Sequence, residues 1–252
     1  MYNFSLDSLY VALLIFGRVG AALSMLPVFG ENFVNKRLRV LFGFTFSLLL
    51  TPVLQTYITA PQSPFEFLHM LILEVLVGLF FAVLIRLFTY ALEIGGSIIS
   101  FQMGLSAATA FNPAMSQQGS IISGFFLVMA LALIFALNIH HLFLASLFKS
   151  YTLFPPGDLP EMRDVAESGV DVVAKSFALG VQLAGPFIVI NLIYQFSVGL
   201  LNRLMPQLQI FFVSLPAQIL LGILMLMMTL SAMMMWYFDA FKDMIVLLFD
   251  RP

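Results

Sequence analysis

Glu66-Phe-Leu-His-Met-Leu-Ile-Leu-Glu-Val-Leu-Val-Gly-Leu-Phe-Phe-Ala-Val-Leu-Ile-Arg-Leu-Phe-Thr-Tyr-Ala-Leu92 carries two charges deep in its interior, Glu74 and Arg86, within an otherwise apolar run. About 20 predominantly apolar residues cross the hydrocarbon core of a bilayer as a helix, so this stretch reads as a membrane-spanning helix. Outward from it, runs of spanning length recur at 9–29, 38–58, 120–148, 171–202 and 210–238, for six predicted helices in all. The chain is 61% hydrophobic and only 10% charged, whereas soluble domains carry about 25% charged residues. The fold class that follows is all-α, a polytopic membrane protein.

The same composition excludes several functions. The longest polar segment, 149–169, is too short for a soluble catalytic domain. The chain has no phosphate-binding Gly-Lys-Ser/Thr loop, no HExxH pair and no GxSxG elbow. It also has no cysteine, hence no thiolate nucleophile or Cys metal site. His140 and His141 are adjacent, so on a helix they diverge by about 100° and do not share an ion comfortably; an interfacial role is expected, with no metal and no cofactor. Basic residues are few and form no stripe interleaved with aromatics, which argues against nucleic acid. The amino terminus lacks the basic region of a cleavable signal, so the first span is expected to be retained.

Lys36, Arg37 and Arg39 cluster in one connection and Asp158, Glu161, Asp164 and Glu167 in another. The positive-inside tendency places the basic group and Arg203 in the cytoplasm, and the amino terminus, the acidic segment and the carboxyl tail outside. Residues 94–110, rich in Gly and Ser, predict a separate amphipathic or re-entrant helix. Gly185-Pro186 and Pro216 predict kinks. Small residues four apart, Gly17/Ala21, Gly78/Ala82 and Gly180/Ala184, favour close helix approach.

Charges within spans are costly and mark function or specific packing. Arg18, Glu74, Arg86 and Glu93 qualify. Arg18 and Glu74 lie at similar depth on helices running in the same direction, which predicts a contact; the alternative is separate satisfaction by snorkelling or by another subunit. Glu74 and Arg86, about 18 Å apart on one straight helix, do not pair. Met225, Met227, Met228 and Met233 to Met235 read either as ordinary packing or as a compliant seal around a moving chain.

Two polar runs interrupt this apolar chain: Gly104-Leu-Ser-Ala-Ala-Thr-Ala-Phe-Asn-Pro-Ala-Met-Ser-Gln-Gln-Gly119 and Asn202-Arg-Leu-Met-Pro-Gln-Leu-Gln209. Irregular backbone is tolerated at membrane depth only inside protein or around water, so both point to a pore or a packed assembly. In these runs, and in Arg18-Val-Gly-Ala-Ala, Leu26-Pro-Val-Phe-Gly30 and Glu74-Val-Leu-Val-Gly78, the chain resembles, from end to end, the FliR/SctT family of type III secretion export-gate proteins.

The resemblance implies a FliP-like half over 1–150, a polar loop over 151–170 and a FliQ-like helical hairpin over 171–252. It implies one copy of this chain in a gate with several FliP and FliQ subunits, working with FlhA-like and FlhB-like export components and the rod. Unfolded flagellar proteins would pass through that gate in the inner membrane of the basal body, the assembled complex projecting toward the periplasm. It further implies that 106–119 plugs the closed channel, through Phe111, Asn112, Pro113, Ala114, Met115, Ser116 and Gln117. Arg203, Pro206 and Gln207 would form a hairpin tip facing the cytoplasm, an expectation to be weighed against a simple interfacial anchor. No enzymatic activity is expected. The rival readings are a virulence-injectisome gate subunit, a secondary transporter of a small solute, and a static assembly scaffold.

Overall fold

The structure is a computed structural model describing residues 6–31, 34–55, 58, 61–106, 120–157, 161–207 and 209–249. Among these residues the regular structure is helical throughout: α1 (Leu6–Met25), α2 (Lys36–Leu54), α3 (Pro64–Gln102), α4 (Ile121–Ala136), α5 (Ile139–Leu153), α6 (Met162–Leu204) and α7 (Ile210–Phe249). Five of these helices are long and apolar enough to cross a membrane, and α4 with α5 makes a sixth candidate if the pair, bent by 76°, is one span. The chain is an all-α polytopic membrane protein.

Two predicted elements differ. The single helix expected over 120–148 is broken, because Asn138 adopts the left-handed conformation at φ 57° and ψ 23°. Asn enters that region more readily than other residues with a Cβ. The Asn138 amide donates three residues back to Phe135 O at 3.1 Å, and the Asn138 carbonyl accepts from His141 N at 3.1 Å.

The separate helix expected over 94–110 is, up to Gln102, the end of the 39-residue α3. Gly95 and Gly96 act there as packing notches and not as breaks. A Cβ on Gly96 would lie 2.7 Å from Ser123 Cα of α4, and one on Gly95 would lie 3.0 Å from Gly180 O of α6. Pro186 and Pro216 both lie within continuous helix. α6 has 43 residues and α7 has 40, so each runs about 60 Å at 1.5 Å per residue, roughly twice the hydrocarbon thickness. Both must emerge from the bilayer or tilt strongly.

The chain forms two compact units, one from 1–88, 133–173 and 242–252, the other from 89–132 and 174–241. In the first, α2 turns Gly43, Ser47, Thr51 and Leu54 inward, while Leu38, Leu41, Leu49 and Val53 are exposed. That is the inverse of a soluble helix and suits a surface facing lipid or another apolar chain. The inward hydroxyls are satisfied within the helix, Ser47 Oγ on Gly43 O at 2.7 Å and Thr51 Oγ1 on Ser47 O at 2.8 Å. Small size at Gly43 lets α2 approach Leu23 and Phe16 of α1. In the second unit, Leu183, Ala184, Phe187, Met233, Tyr237 and Phe238 are buried, with Tyr237 stacked on Phe241 at 5.6 Å.

Candidate functional site

Two polar centres stand out, one in each unit. In the first, α1 and α3 approach backbone to backbone where Gly78 faces the Arg18 main chain, so closely that a Cβ on Gly78 would collide with the Arg18 carbonyl oxygen. This approach carries the two charges together. Arg18 Nε donates to Glu74 Oε2 at 2.7 Å and Nη2 to Glu74 Oε1 at 2.9 Å, a bidentate pair. Side-chain exposure is 0% and 1%, so the pair is closed off from bulk solvent.

The remaining guanidinium donors turn to the end of α5. Nη1 reaches Ser150 O at 3.1 Å and Ser150 Oγ at 3.3 Å, and Nη2 reaches Phe154 O at 3.0 Å. Ser150 Oγ spends its own proton on Leu147 O at 2.7 Å, which leaves its lone pairs for Arg18. A helix carboxyl end carries partial negative charge and favours a cation. Tyr151 completes the enclosure with its ring 3.9 Å from Arg18 Cζ. Every guanidinium donor thus has a partner, the condition under which a charge survives burial.

Arg86, expected among the buried charges, is instead part exposed, at 34%. Its long stem carries the guanidinium to the carboxyl end of α1, where Nη1 donates to Met25 O at 3.3 Å and Nη2 lies 3.7 Å from Glu31 Oε1. Arg86→Met is expected to change stability by only about 0–1 kcal/mol, read as the melting temperature of the detergent-purified protein. Glu93 is exposed. His140 and His141 lie with rings 4.2 Å apart, and no group of three or more metal-ligating side chains occurs among the described residues. The methionines divide: Met233 and Met234 are buried, Met227, Met228 and Met235 exposed.

The second centre lies at the end of α3, where the polar run begins. Asn191 Nδ2 of α6 donates to Gln102 Oε1 at 2.7 Å. Gln218 Nε2 of α7 donates both to Gln102 O at 2.7 Å and to Asn191 Oδ1 at 3.1 Å. Three helices thus meet through amides at the last residue of α3. Gly104, at φ 76°, then turns the chain where a Cβ would press on Leu215 and Gln218.

On the far side of the run, Ser120 Oγ donates to Gly96 O at 3.2 Å and Ser123 Oγ to Glu93 O at 2.9 Å. Ser97 Oγ and Ser123 Oγ share a hydrogen bond at 3.1 Å. Of the run itself, 107–119 lies outside the described residues, and with it Phe111, Asn112, Pro113, Ala114, Met115, Ser116 and Gln117.

Arg203, in the last turn of α6, and Pro206 and Gln207, in the connection to α7, are all exposed. A cleft of about 530 Å³ runs back from there between the two helices, lined by Gln195, Asn202, Gln209, Ser214 and Gln218 among others.

Sequence reasoning singled out Arg18 and Glu74 but not Ser150, Tyr151 or Phe154, which contribute a hydroxyl, a ring and backbone carbonyls without any motif. It also passed over Gln102, Asn191 and Gln218. Amides within apolar helices were the available signal there, since such groups seek one another across helices.

The family profile of the bacterial export proteins, family 1, matches residues 9–244. The chain is 38% identical to the flagellar biosynthetic protein FliR of Caulobacter vibrioides over 94% of each chain. It is 30% identical to FliR of Buchnera aphidicola from Acyrthosiphon pisum over 90% of this chain and 88% of that one. With FliR of Bacillus subtilis the identity is 29% over 91% and 89%. Matched along nearly its whole length, this all-helical membrane chain belongs to the bacterial export proteins of family 1, as an export component of flagellar biosynthesis.

Proposed function

We propose that the chain is a core subunit of the flagellar export gate, assembled as one copy with FliP and FliQ subunits in the bacterial inner membrane. In this reading it passes unfolded polypeptide, the loop over 106–119 closes the resting channel, and the complex projects toward the periplasm beneath the rod. The halves over 1–150 and 171–252 act as FliP-like and FliQ-like elements, and FlhA-like and FlhB-like components deliver substrate. The protein itself does no chemistry on its cargo.

The observation that carries the plug is the anchoring of both ends of the run. Gln102 and Gly104 lie against α6 and α7 before it, and Ser120 and Ser123 tie back to the Glu93–Gly96 turn of α3 after it. A run tied to helices at both ends, rich in small and polar residues and carrying Pro113 near its centre, suits a wet constriction and not a lipid-facing surface. Deleting 111–117 is expected to leave the complex recoverable but leaking ions at rest, measured as membrane permeability of cells carrying the assembled gate. Unchanged permeability in that variant sinks the plug.

The exposed tip at Arg203 and Gln207 is the second element of the proposal, a contact for cytoplasmic components. Arg203→Gln is expected to lower secretion of flagellar substrates several-fold with the complex intact; full secretion would leave Arg203 as a membrane-interface anchor only.

A further inference from the structure

We propose that Gln102, Asn191 and Gln218 are positioning residues of the gate, a latch that holds the first foot of the 107–119 loop against the α6–α7 hairpin and parts when the channel opens. The proposal rests on the plug reading for what the latch controls, but the latch itself follows from the geometry around Gln102. Gln218 Nε2 bridges the main chain of α3 and the side chain of α6, and Asn191 closes the ring through Gln102 Oε1.

Beside this ring Met103 enters a notch at Gly222 of α7, where a Cβ would leave the Met103 side chain no room. Gly104 follows at positive φ, so the chain leaves the junction in one direction. Tyr194 adds a bond from its hydroxyl to Ser214 O at 2.6 Å, joining α6 to α7 one turn away. The start of the run is therefore tied to both helices of the hairpin.

Neutral amides suit a latch better than charges. Each bond is individually weak, and each amide carries both donor and acceptor, so parted groups find water or one another. A charged pair such as Arg18 with Glu74 has no such freedom once buried. The cleft between α6 and α7 reaches Gln218 from the Asn202 end of the hairpin, so the latch and the tip lie along the same inter-helix cleft.

The chain has no native cysteine, which makes a reversible lock clean to build. A Cβ on Gly222 lies 3.0 Å from Met103 Cβ, a little inside the roughly 3.5–4.5 Å of disulfides, so Met103→Cys with Gly222→Cys needs only a small adjustment. The gate is assembled reduced, then oxidised, with closure verified by loss of thiol labelling. Oxidation is expected to stop secretion and reductant to restore it, while the redox-inert double variant Met103→Ser with Gly222→Cys, which relieves the same clash, secretes equally under both conditions. Undiminished secretion by the verified disulfide form overturns the latch.

Asn191→Leu and Gln218→Leu supply the opposite readout: a several-fold higher resting ion leak with the complex recovered in normal amount. A merely structural junction would not block when tied and leak when loosened, and absence of the leak in both variants also overturns the latch. Failure of the plug reading is separate, since it would appear as a tight membrane in the 111–117 deletion.

Discussion

Arg18→Met is expected to cost about 3–5 kcal/mol of stability, because it leaves the Glu74 carboxylate charged and enclosed without its partner. Glu74→Met should cost a similar amount for the opposite reason, stranding the guanidinium. The double variant is expected to recover much of the loss, since a buried pair replaced by apolar side chains of similar volume is often nearly neutral. Recovery should stop short of complete, because Phe154 O and the Ser150 hydroxyl lose the donors that Arg18 brings them. Thermal unfolding of the detergent-purified protein, with membrane yield alongside, checks all three. A single variant within about 1 kcal/mol of the parent would mean that the pair is far more hydrated than its burial implies. The pair also joins residues far apart in the chain, with Ser150 lying 132 positions beyond Arg18. Folding of the first unit should therefore register the loss as a whole and not as one frayed helix.

Gly78→Ala is the second large effect, expected to cost about 1–3 kcal/mol from overpacking. The added methyl meets backbone, the Arg18 carbonyl group, and backbone does not swing aside as a side-chain tip does. Separation of α1 from α3 by even a few tenths of an ångström also stretches the two bonds between Arg18 and Glu74. Gly124→Ala and Gly185→Ala are the controls, because nothing lies within 4 Å of either new Cβ. There, alanine in a helix should be neutral or stabilising by up to about 1 kcal/mol. The comparison is a melting series on three otherwise identical preparations, and equal behaviour of all three glycines would refute the close approach. Gly17 offers an intermediate case, since its neighbour is the movable Leu71 Cδ1 at 2.8 Å.

How much of this was legible beforehand depends on how far apart the partners lie. The number and rough position of the apolar helices follow from composition summed along short windows, because spanning a bilayer is a requirement on length and polarity at each segment separately. Arg18 and Glu74 were traceable as partners because both are charges within such windows, at similar depth. Their third partner was not: residues from 149 onward read as polar connection, whereas α5 continues to Leu153 and turns its last carbonyls onto Arg18.

The same limit explains the errors. Asn138 and the glycines at 95 and 96 are residues whose meaning depends on neighbours. Asn138 broke a helix that hydrophobicity alone made continuous, and the glycines served packing in a helix that composition alone made weak. Arg86 shared the signature of Glu74, a charge in an apolar run, yet its stem is long enough to leave the interior for Met25 O and Glu31.

The amino-acid chain alone was enough to establish an all-helical membrane protein with two polar interruptions and a scatter of costly charges. Folding in three dimensions settled which charge is paired, which glycine is a contact, and that Gln102, Asn191 and Gln218 meet. The reason is physical: hydrophobicity acts residue by residue, whereas the worth of a polar group in an apolar medium depends wholly on the partner that tertiary packing brings within about 3 Å.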